Sequence, residues 1–274
     1  ARWFCGAQTG ACMDYFGLLA LMLAIGGVAG VIAGMLGVGG GIVLVPAFYF
    51  AFVQLGYGGP KLMQICVASS LATITVTSLR SVLSHHKKGA VDWDILRQWA
   101  PGIVAGAGLK SSSLMLVFGV LGLIVGLYMA FGRSHWRLGT DMPKGMARAI
   151  ASPVLGFLSV LMGIGGGSFG VPMMTLYGRP IHRAVATAAG FGVLIAVPSV
   201  IGFMLSGWDV ADKPPLTIGY VNLVAFGVIV SMTMLTTPLG VRLAHAMNPR
   251  PLKLAFALFI ALMAANMLRK ALAG

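Results

Sequence analysis

The sequence has no glutamate, and its only carboxylate side chains belong to six aspartates. Each aspartate falls in or beside a predicted loop: Asp14, Asp92, Asp94, Asp141, Asp209 and Asp212. Ionisable groups inside membrane-spanning segments mark ion and proton pathways. Their absence excludes a carboxylate-lined cation site, and it excludes a protease that uses two intramembrane aspartates.

Histidine and cysteine are also scarce. The five histidines are predicted to lie in loops or at loop edges: His85, His86, His135, His182 and His245. We therefore expect no buried histidine in a span and no relay of intramembrane Asp, Glu or His for a coupling proton. The three cysteines, Cys5, Cys12 and Cys66, form no metal-ligand pattern, so neither a metal nor a cofactor is expected. Cys5 and Cys12 can pair if the N-terminus lies outside the cell.

Charge of either sign is rare, at 9% of residues, whereas 58% are hydrophobic and the mean hydropathy is +0.93. A soluble domain has roughly 25% charged residues, and long uncharged runs are typical of membrane spans. The net charge of +13 does not indicate nucleic-acid binding, because the basic residues are scattered through short loops. The sequence predicts an all-α polytopic membrane protein whose partner is the lipid bilayer.

One glycine-rich motif occurs twice. Residues 37–46 read GVGGGIVLVP and residues 163–172 read GIGGGSFGVP, 126 positions later. Consecutive glycines break a helix, and the helix that restarts presents free N–H groups and its positive dipole end. Close helix packing is one interpretation. The matched repetition favours a substrate site between broken helices, with these candidate residues: Gly39, Gly40, Gly41, Gly165, Gly166, Gly167 and Ser168.

The motif divides the chain into two predicted repeats, residues 1–132 and 149–274, joined by a cytoplasmic linker at 133–148. Five helical segments are predicted in each repeat: 15–36, 42–55, 66–84, 95–109 and 111–132, then 149–162, 168–177, 184–206, 218–244 and 251–271. If each glycine-broken pair returns to the side it entered from, twelve Lys and Arg face the cytoplasm and six face outward. This asymmetry predicts inverted topology of the repeats, with both termini outside.

Hydroxyl groups concentrate in the third segment, where Ser69 and Ser70 share a helical face with Arg80. Thr187 follows the corresponding start of the second-half helix, since Val185-Ala186-Thr187-Ala188 echoes Val67-Ala68-Ser69-Ser70. Substrate binding and hydrogen bonding between helices are both open for the hydroxyls. Arg80 is open to two interpretations, as an anion ligand or as a side chain that extends to the membrane interface.

The doubled Gly-x-Gly-Gly-Gly…Pro motif and the two Val-Ala-Ser/Thr-Ser/Ala sequences resemble the TauE/SafE sulfite-exporter family, also called the sulfonate uptake permease superfamily. The resemblance implies transport of sulfite, sulfoacetate or another organosulfonate across the bacterial inner membrane. It also implies that the glycines of both motifs line the substrate site. Ala188-Ala189-Gly190 stands where a Ser-Leu pair is common in that family, which argues against a symmetrical contribution of hydroxyls.

These observations predict a secondary transporter for a small sulfur-containing anion, with export as the favoured direction. Without a group that carries a coupling proton, the anion would move down its own electrochemical gradient. A passive anion channel and an uptake permease for the same anions are the alternatives. No enzyme is predicted, and the oligomeric state is left open.

Overall fold

The computed structural model describes residues 15–59, 61–107, 139, 141–161, 165–208, 213–252, 254–255, 257–258 and 261. Several predictions therefore lie wholly or partly outside the described residues: the segment at 111–132, the pairing of Cys5 with Cys12, part of the linker at 133–148 and most of the last segment. Gly163 and Ile164 of the second motif also lie outside them.

The described part is almost entirely helical. Its helices are α1 (Tyr15–Leu36), α2 (Gly41–Gln54), α3 (Leu62–His86), α4 (Trp93–Ala107), α5 (Gly145–Leu161), α6 (Gly167–Leu176), α7 (Ile181–Ser206) and α8 (Leu223–Ala246). Four stretches are long and apolar enough to cross a membrane, namely Gly17–Leu36, Leu62–His86, Ile181–Ser206 and Leu223–Ala246. The prediction of an all-α, multi-pass membrane protein is confirmed at this level.

A two-stranded hairpin precedes α8, where the sequence predicts continuous helix from Ile218. Strand β1 (Thr217–Ile218) pairs antiparallel with β2 (Val221–Asn222), and Gly219 turns the chain with φ +59°. The Asn222 side chain then caps α8 by accepting a hydrogen bond from Ala225 N at 2.9 Å. The start of that predicted segment was wrong, because this cap places the beginning of the helix at Leu223.

The helix α5 also differs from its prediction, since it begins at Gly145 inside the stretch assigned to the linker. It holds 17 residues and α6 holds 10, which correspond to roughly 26 and 15 Å of helix. A hydrocarbon core is about 30 Å thick, so neither helix alone spans it. Each of these two helices is therefore shorter than the hydrocarbon core.

Small residues bring the outer helices together in two places. On α1, a Cβ at Gly30 would lie 2.8 Å from Thr233 Cα of α8, and one at Gly34 would meet the Thr237 carbonyl. On α5, a Cβ at Gly156 would meet the backbone carbonyl of Ile103 in α4. Backbones approach this closely only where no side chain intervenes. The pairs α1–α8 and α4–α5 flank the central pair of α3 and α7.

The loops gather at two ends of the bundle. At the hairpin end, Leu18 of α1, Leu55 after α2 and Pro214 before the hairpin line one cavity of about 330 Å³. The opposite end is called the histidine end here, because histidines at the ends of α3 and α8 and at the start of α7 lie there. A cavity of about 520 Å³ at this end is lined by Asp141 before α5, Arg179 after α6 and the start of α4. Each glycine-broken helix pair thus begins and ends at the same end of the bundle.

Candidate functional site

The two glycine motifs are in direct contact at the centre of the molecule. The N–H of Gly165 donates a hydrogen bond to the Val38 carbonyl at 3.0 Å. A Cβ on Gly165 would lie 2.7 Å from that carbonyl oxygen, and a Cβ on Gly167 would lie 2.6 Å from the Gly37 oxygen. A larger residue at either of these two positions would therefore force two backbones apart.

The first motif needs glycine for a second reason, which is its backbone conformation. Gly37, Gly39 and Gly40 have φ angles of +67°, +74° and +79°, a region that other residues rarely adopt. Gly40 stands at the N-cap of α2 and Gly166 at the N-cap of α6. The first N–H groups of both helices, which have no acceptor within their own helix, therefore begin at this crossing.

A buried hydroxyl lies between the two motifs. Ser78 of α3 is 1% exposed. Its Oγ is 3.1 Å from the position that a Cβ would have on Gly39, and 2.5 Å from the position that a Cβ would have on Gly192. The same position on Gly192 is 3.7 Å from Gly166 N. Ser78 Oγ has no hydrogen-bond partner among the described residues. Buried polar groups normally have one, so a polar ligand is a natural partner.

Three further serine hydroxyls share that property. Ser70 and Ser81 of α3 and Ser168 of α6 are buried, and none has a hydrogen-bond partner in the described part of the chain. By contrast, the hydroxyls of Thr73 and Thr77 donate to carbonyls of their own helix. The unpartnered hydroxyls of α3 therefore come from its serines.

Ser69 and Thr187 hold the starts of other helices. Ser69 Oγ accepts a hydrogen bond from Asn222 N at 2.9 Å, just before α8. Thr187 Oγ1 accepts one from Asp92 N at 2.9 Å, just before α4. Ser69 and Thr187 stand at matching positions of the two predicted repeats. Each accepts a bond from the backbone N–H just before a helix of the other half, at opposite ends of the bundle. Both bonds connect one half of the chain to the other.

Arg80 is not brought together with the other candidates. It lies on the exposed face of α3 beside Leu79, which is 47% exposed, while the serines lie on the buried face. Of the two interpretations of Arg80, this position favours a side chain that extends to the membrane interface.

The expectation that no histidine is buried was wrong. His85 is 1% exposed, and its Nδ1 lies 3.1 Å from His245 Nε2 and its Nε2 lies 3.1 Å from the Gly34 carbonyl. His182 stacks on His245 with ring centroids 5.9 Å apart, and its Nε2 lies 3.1 Å from the Met247 carbonyl. The error arose because α3 and α8 continue through residues that look like loop, so that their ends pack against the start of α7.

This histidine cluster, defined as His85, His182 and His245, does not have the arrangement of a metal site. Both ring nitrogens of His85 already have partners within the protein. The described residues contain no group of three or more His, Cys, Asp or Glu able to hold a metal ion.

Sequence reasoning missed Ser78 and the cluster for different reasons. Ser78 had a signal, because it lies eight residues after Ser70 and three before Ser81, on the buried side of α3. The histidines had none, because they come from three helices far apart in the sequence and meet only through the tertiary packing.

Comparison with known proteins agrees with this architecture. The chain matches the model of the family described as sulfite exporter TauE/SafE over residues 22–267. It is 30% identical to a probable membrane transporter protein of Haemophilus influenzae, over 93% of this chain and all of that protein. It is 23% identical to another of Methanocaldococcus jannaschii, over 93% and 97% of the two chains. No solved structure matches it significantly. With the doubled glycine motif and the bundle of spanning helices, these matches identify the chain as a membrane transporter protein of the TauE/SafE sulfite exporter family.

Proposed function

We propose that this chain is a secondary transporter that exports a small sulfur-containing anion, such as sulfite or an organosulfonate, across the bacterial inner membrane. The observation that carries the proposal is the crossing of the two glycine motifs beside the unpartnered hydroxyl of Ser78. The groups that converge there are helix N-termini and hydroxyls, which bind oxyanions. The family name, which refers to sulfite, supports the substrate class.

The proposed architecture is a pair of inverted repeats. The packing of α1 on α8 has its counterpart in α4 on α5, and the bond of Ser69 to Asn222 N has its counterpart in that of Thr187 to Asp92 N. One glycine-broken pair begins and ends at the hairpin end, and the other at the histidine end. Such a relationship places a transporter's substrate site at the interface of the repeats.

The proposed anion site comprises the N–H groups of both motifs together with serine hydroxyls of α3 and α6. It contains these residues: Gly39, Gly40, Gly41, Gly166, Gly167, Ser70, Ser78 and Ser168. Gly165 lines the site without contributing its N–H, which already donates to the Val38 carbonyl. We assign Ser69 and Thr187 to anchoring the starts of α8 and α4, because each hydroxyl oxygen is held by the backbone N–H that precedes one of those helices. Arg80 is assigned to the membrane interface.

A carrier agrees better with the crossing than an open channel does. The backbone contact between Gly165 and Val38 holds the two motifs together, and a carrier requires a state in every cycle in which its two halves meet. The purified protein in proteoliposomes should therefore give saturable flux that is accelerated by the same anion on the opposite side. Linear flux without this acceleration would indicate the passive channel.

The substrate is tested with a panel of sulfite, thiosulfate, sulfoacetate, taurine and sulfate, each measured for flux and for binding to the purified protein. We expect at least one sulfite-like or sulfonate anion to be bound and moved, and zwitterionic taurine to be weaker than sulfoacetate because its net charge is zero. Failure of every anion in the panel, in protein shown to be folded, would contradict the proposed function.

A further inference from the structure

The histidine cluster lies where four helices meet, and the proposed transport function does not use it. His85 is near the end of α3, His245 near the end of α8 and His182 at the start of α7. The fourth helix is α1, whose Gly34 carbonyl bonds His85. That carbonyl is one of the last four of α1, which have no partner within the helix. His85 therefore caps α1 at Gly34, and Gly34 is three residues before the first glycine motif begins.

The hydrogen bonds fix which nitrogens carry protons in the neutral pair. A carbonyl oxygen only accepts, so His85 Nε2 carries a proton and donates it to Gly34 O. His85 Nδ1 is then bare, and it accepts from the protonated Nε2 of His245. This leaves Nδ1 of His245 bare on a half-buried ring, where one added proton makes an imidazolium without breaking either bond.

The charge can also move inward. If the shared proton passes from His245 Nε2 to His85 Nδ1, His85 becomes the imidazolium and its bond to Gly34 O becomes charge-assisted, which strengthens it. The C-terminal ends of α1, α3 and α8 converge on this position and favour a cation, whereas the N-terminal end of α7 opposes one. Protonation therefore ties the end of α1 more firmly to α3.

Other groups around the pair carry positive charge or none. His182 faces it from α7, and Lys88 acts on His245 from the loop after α3. Helix α1 contains no charged residue. Arg242 of α8 and Arg183 of α7 are exposed, and Asp92, the nearest loop carboxylate in sequence, is paired with Arg179 at 3.6 Å. No described carboxylate is paired with the cluster, so only the histidines can hold the added proton. Their burial and the positive neighbours oppose its binding, so the site fills only in acid.

We propose that His85 and His245 form a proton-binding site whose occupied state clamps the end of α1 and thereby slows the movement of the first glycine motif. The inference rests on the proposed function for its effect on transport, but not for proton binding itself. The site lies at one end of the bundle only. His85 stands sixteen residues after Ser69. In the other repeat, the residue sixteen positions after the matching Thr187 is Phe203, which cannot bind a proton.

The direct test is histidine nitrogen NMR of the whole protein in lipid nanodiscs, titrated from about pH 8, the upper end of the usual histidine range, down to the lowest pH at which the protein stays folded. We expect the His85 and His245 signals to change together, and His245→Gln, which keeps a donor toward His85, to abolish the change at His85. His86→Gln is the matched control, since His86 is the exposed neighbour that accepts from Trp93 Nε1 instead. Independent behaviour of the two signals, or an unchanged His85 response in His245→Gln, would overturn the site.

The clamp is tested by amide hydrogen exchange of residues 33–41, corrected for the intrinsic effect of pH. Acid should slow exchange there in the wild type and in His86→Gln, and the effect should be lost in His245→Gln and in His85→Gln, whose amide still donates to Gly34. Exchange that acid leaves unchanged in the wild type would refute the clamp. If His85→Gln fails to fold, His245→Gln still decides the test, because His245 is only half-buried and its substitution disturbs the packing less.

The consequence for transport is measured as sulfoacetate flux with equal pH on both sides of proteoliposomes. Flux should fall on acidification in the wild type and in His86→Gln, and should lose its pH dependence in His245→Gln. Flux that ignores pH or rises with acid would overturn the clamp while leaving the proposed function standing. If no anion of the panel moves, the proposed function fails, and NMR and exchange still decide the proton site.

Discussion

Ser78 is a polar side chain that lies beside the first glycine motif and beside the part of α7 that borders the second. It is buried on α3, beside Gly39 from the first half and Gly192 from the second. Its hydroxyl has no hydrogen-bond partner among the described residues, so it is free to bond an anion. A hydrogen bond to a charged group contributes about 1.5–3 kcal/mol.

Ser78→Ala should therefore raise KM for the transported anion by roughly ten- to a hundredfold, as that energy implies. The variant should fold normally, because it removes one oxygen atom that bonds to no described group. Ser199→Ala is the matched control, since Ser199 is a buried serine of α7 whose hydroxyl donates to its own Ile195 carbonyl at 2.7 Å. Equal KM values for the two variants would remove Ser78 from the substrate site.

At the scale of secondary-structure elements, the glycines of the second motif are needed because backbones approach one another closely there, more than because glycine is conformationally flexible. Gly167 contacts the Gly37 carbonyl across the crossing, and Gly166 contacts Phe191 of α7, where a Cβ would lie 2.9 Å from the backbone carbon. A bulky residue at either position would disturb packing as well as ligand binding. Leucine substitutions therefore cannot separate these two roles, and a single methyl group is the sharper probe.

Gly167→Ala should lower stability by about 1–3 kcal/mol, because the added methyl group overpacks two backbones, and should reduce flux. Gly202→Ala in α7 is the control, since a Cβ there meets nothing within 4 Å. Alanine in an open helical position should instead stabilise by about 0.5–1 kcal/mol. Thermal unfolding in detergent, read by fluorescence, measures both. A stable Gly167→Ala variant would show that the two motifs do not pack as described.

The helices were more predictable than their contacts. The range 15–36 was predicted from the uncharged run alone and is the range of α1, because a long apolar segment has few other stable conformations in a membrane. The hairpin at Thr217 to Asn222 was missed, because an apolar Ile218 after two prolines resembles the start of a span. The sequence predicts loops or loop edges at His85, His182 and His245, because hydropathy does not indicate which helix ends pack together.

At the scale of the whole molecule, the basic residues favour one orientation. The described loops at the histidine end contain Lys87, Lys88, Lys144 and Arg179, whereas those at the hairpin end contain Lys61 and Lys213. Lys and Arg accumulate on the cytoplasmic side of membrane proteins. The histidine end is therefore expected in the cytoplasm, and both termini outside.

Cysteine accessibility tests this orientation in a background where Cys5 and Cys12 are replaced by serine and buried Cys66 is retained. Leu216→Cys, at the exposed start of the hairpin, should react with a membrane-impermeant maleimide in intact cells. Lys87→Cys should react only after the cells are permeabilised. The reverse pattern would place the histidine end outside, and with it the proton site.

The expected direction of transport follows from the membrane potential and from the charge of the proposed anion. No Asp or Glu is buried in the described helices, so a bound anion is not neutralised by a carboxylic acid that could carry a proton with it. With a negative cytoplasm, each negative charge that leaves the cell releases about 2.3 kcal/mol per 100 mV, which favours export by roughly 40- to 50-fold per charge.

We therefore expect electrogenic efflux, measured in vesicles whose membrane potential is set by valinomycin and a potassium gradient. Efflux should quicken when the interior is negative, and an ionophore-free control should not respond to potassium. The histidine pair adds a distinction, because a clamp changes the rate of flux but not the potential at which flux reverses. A reversal potential that moves with an imposed pH gradient would mean that protons are co-transported, and the pair would then be part of the driving mechanism instead of a control on it.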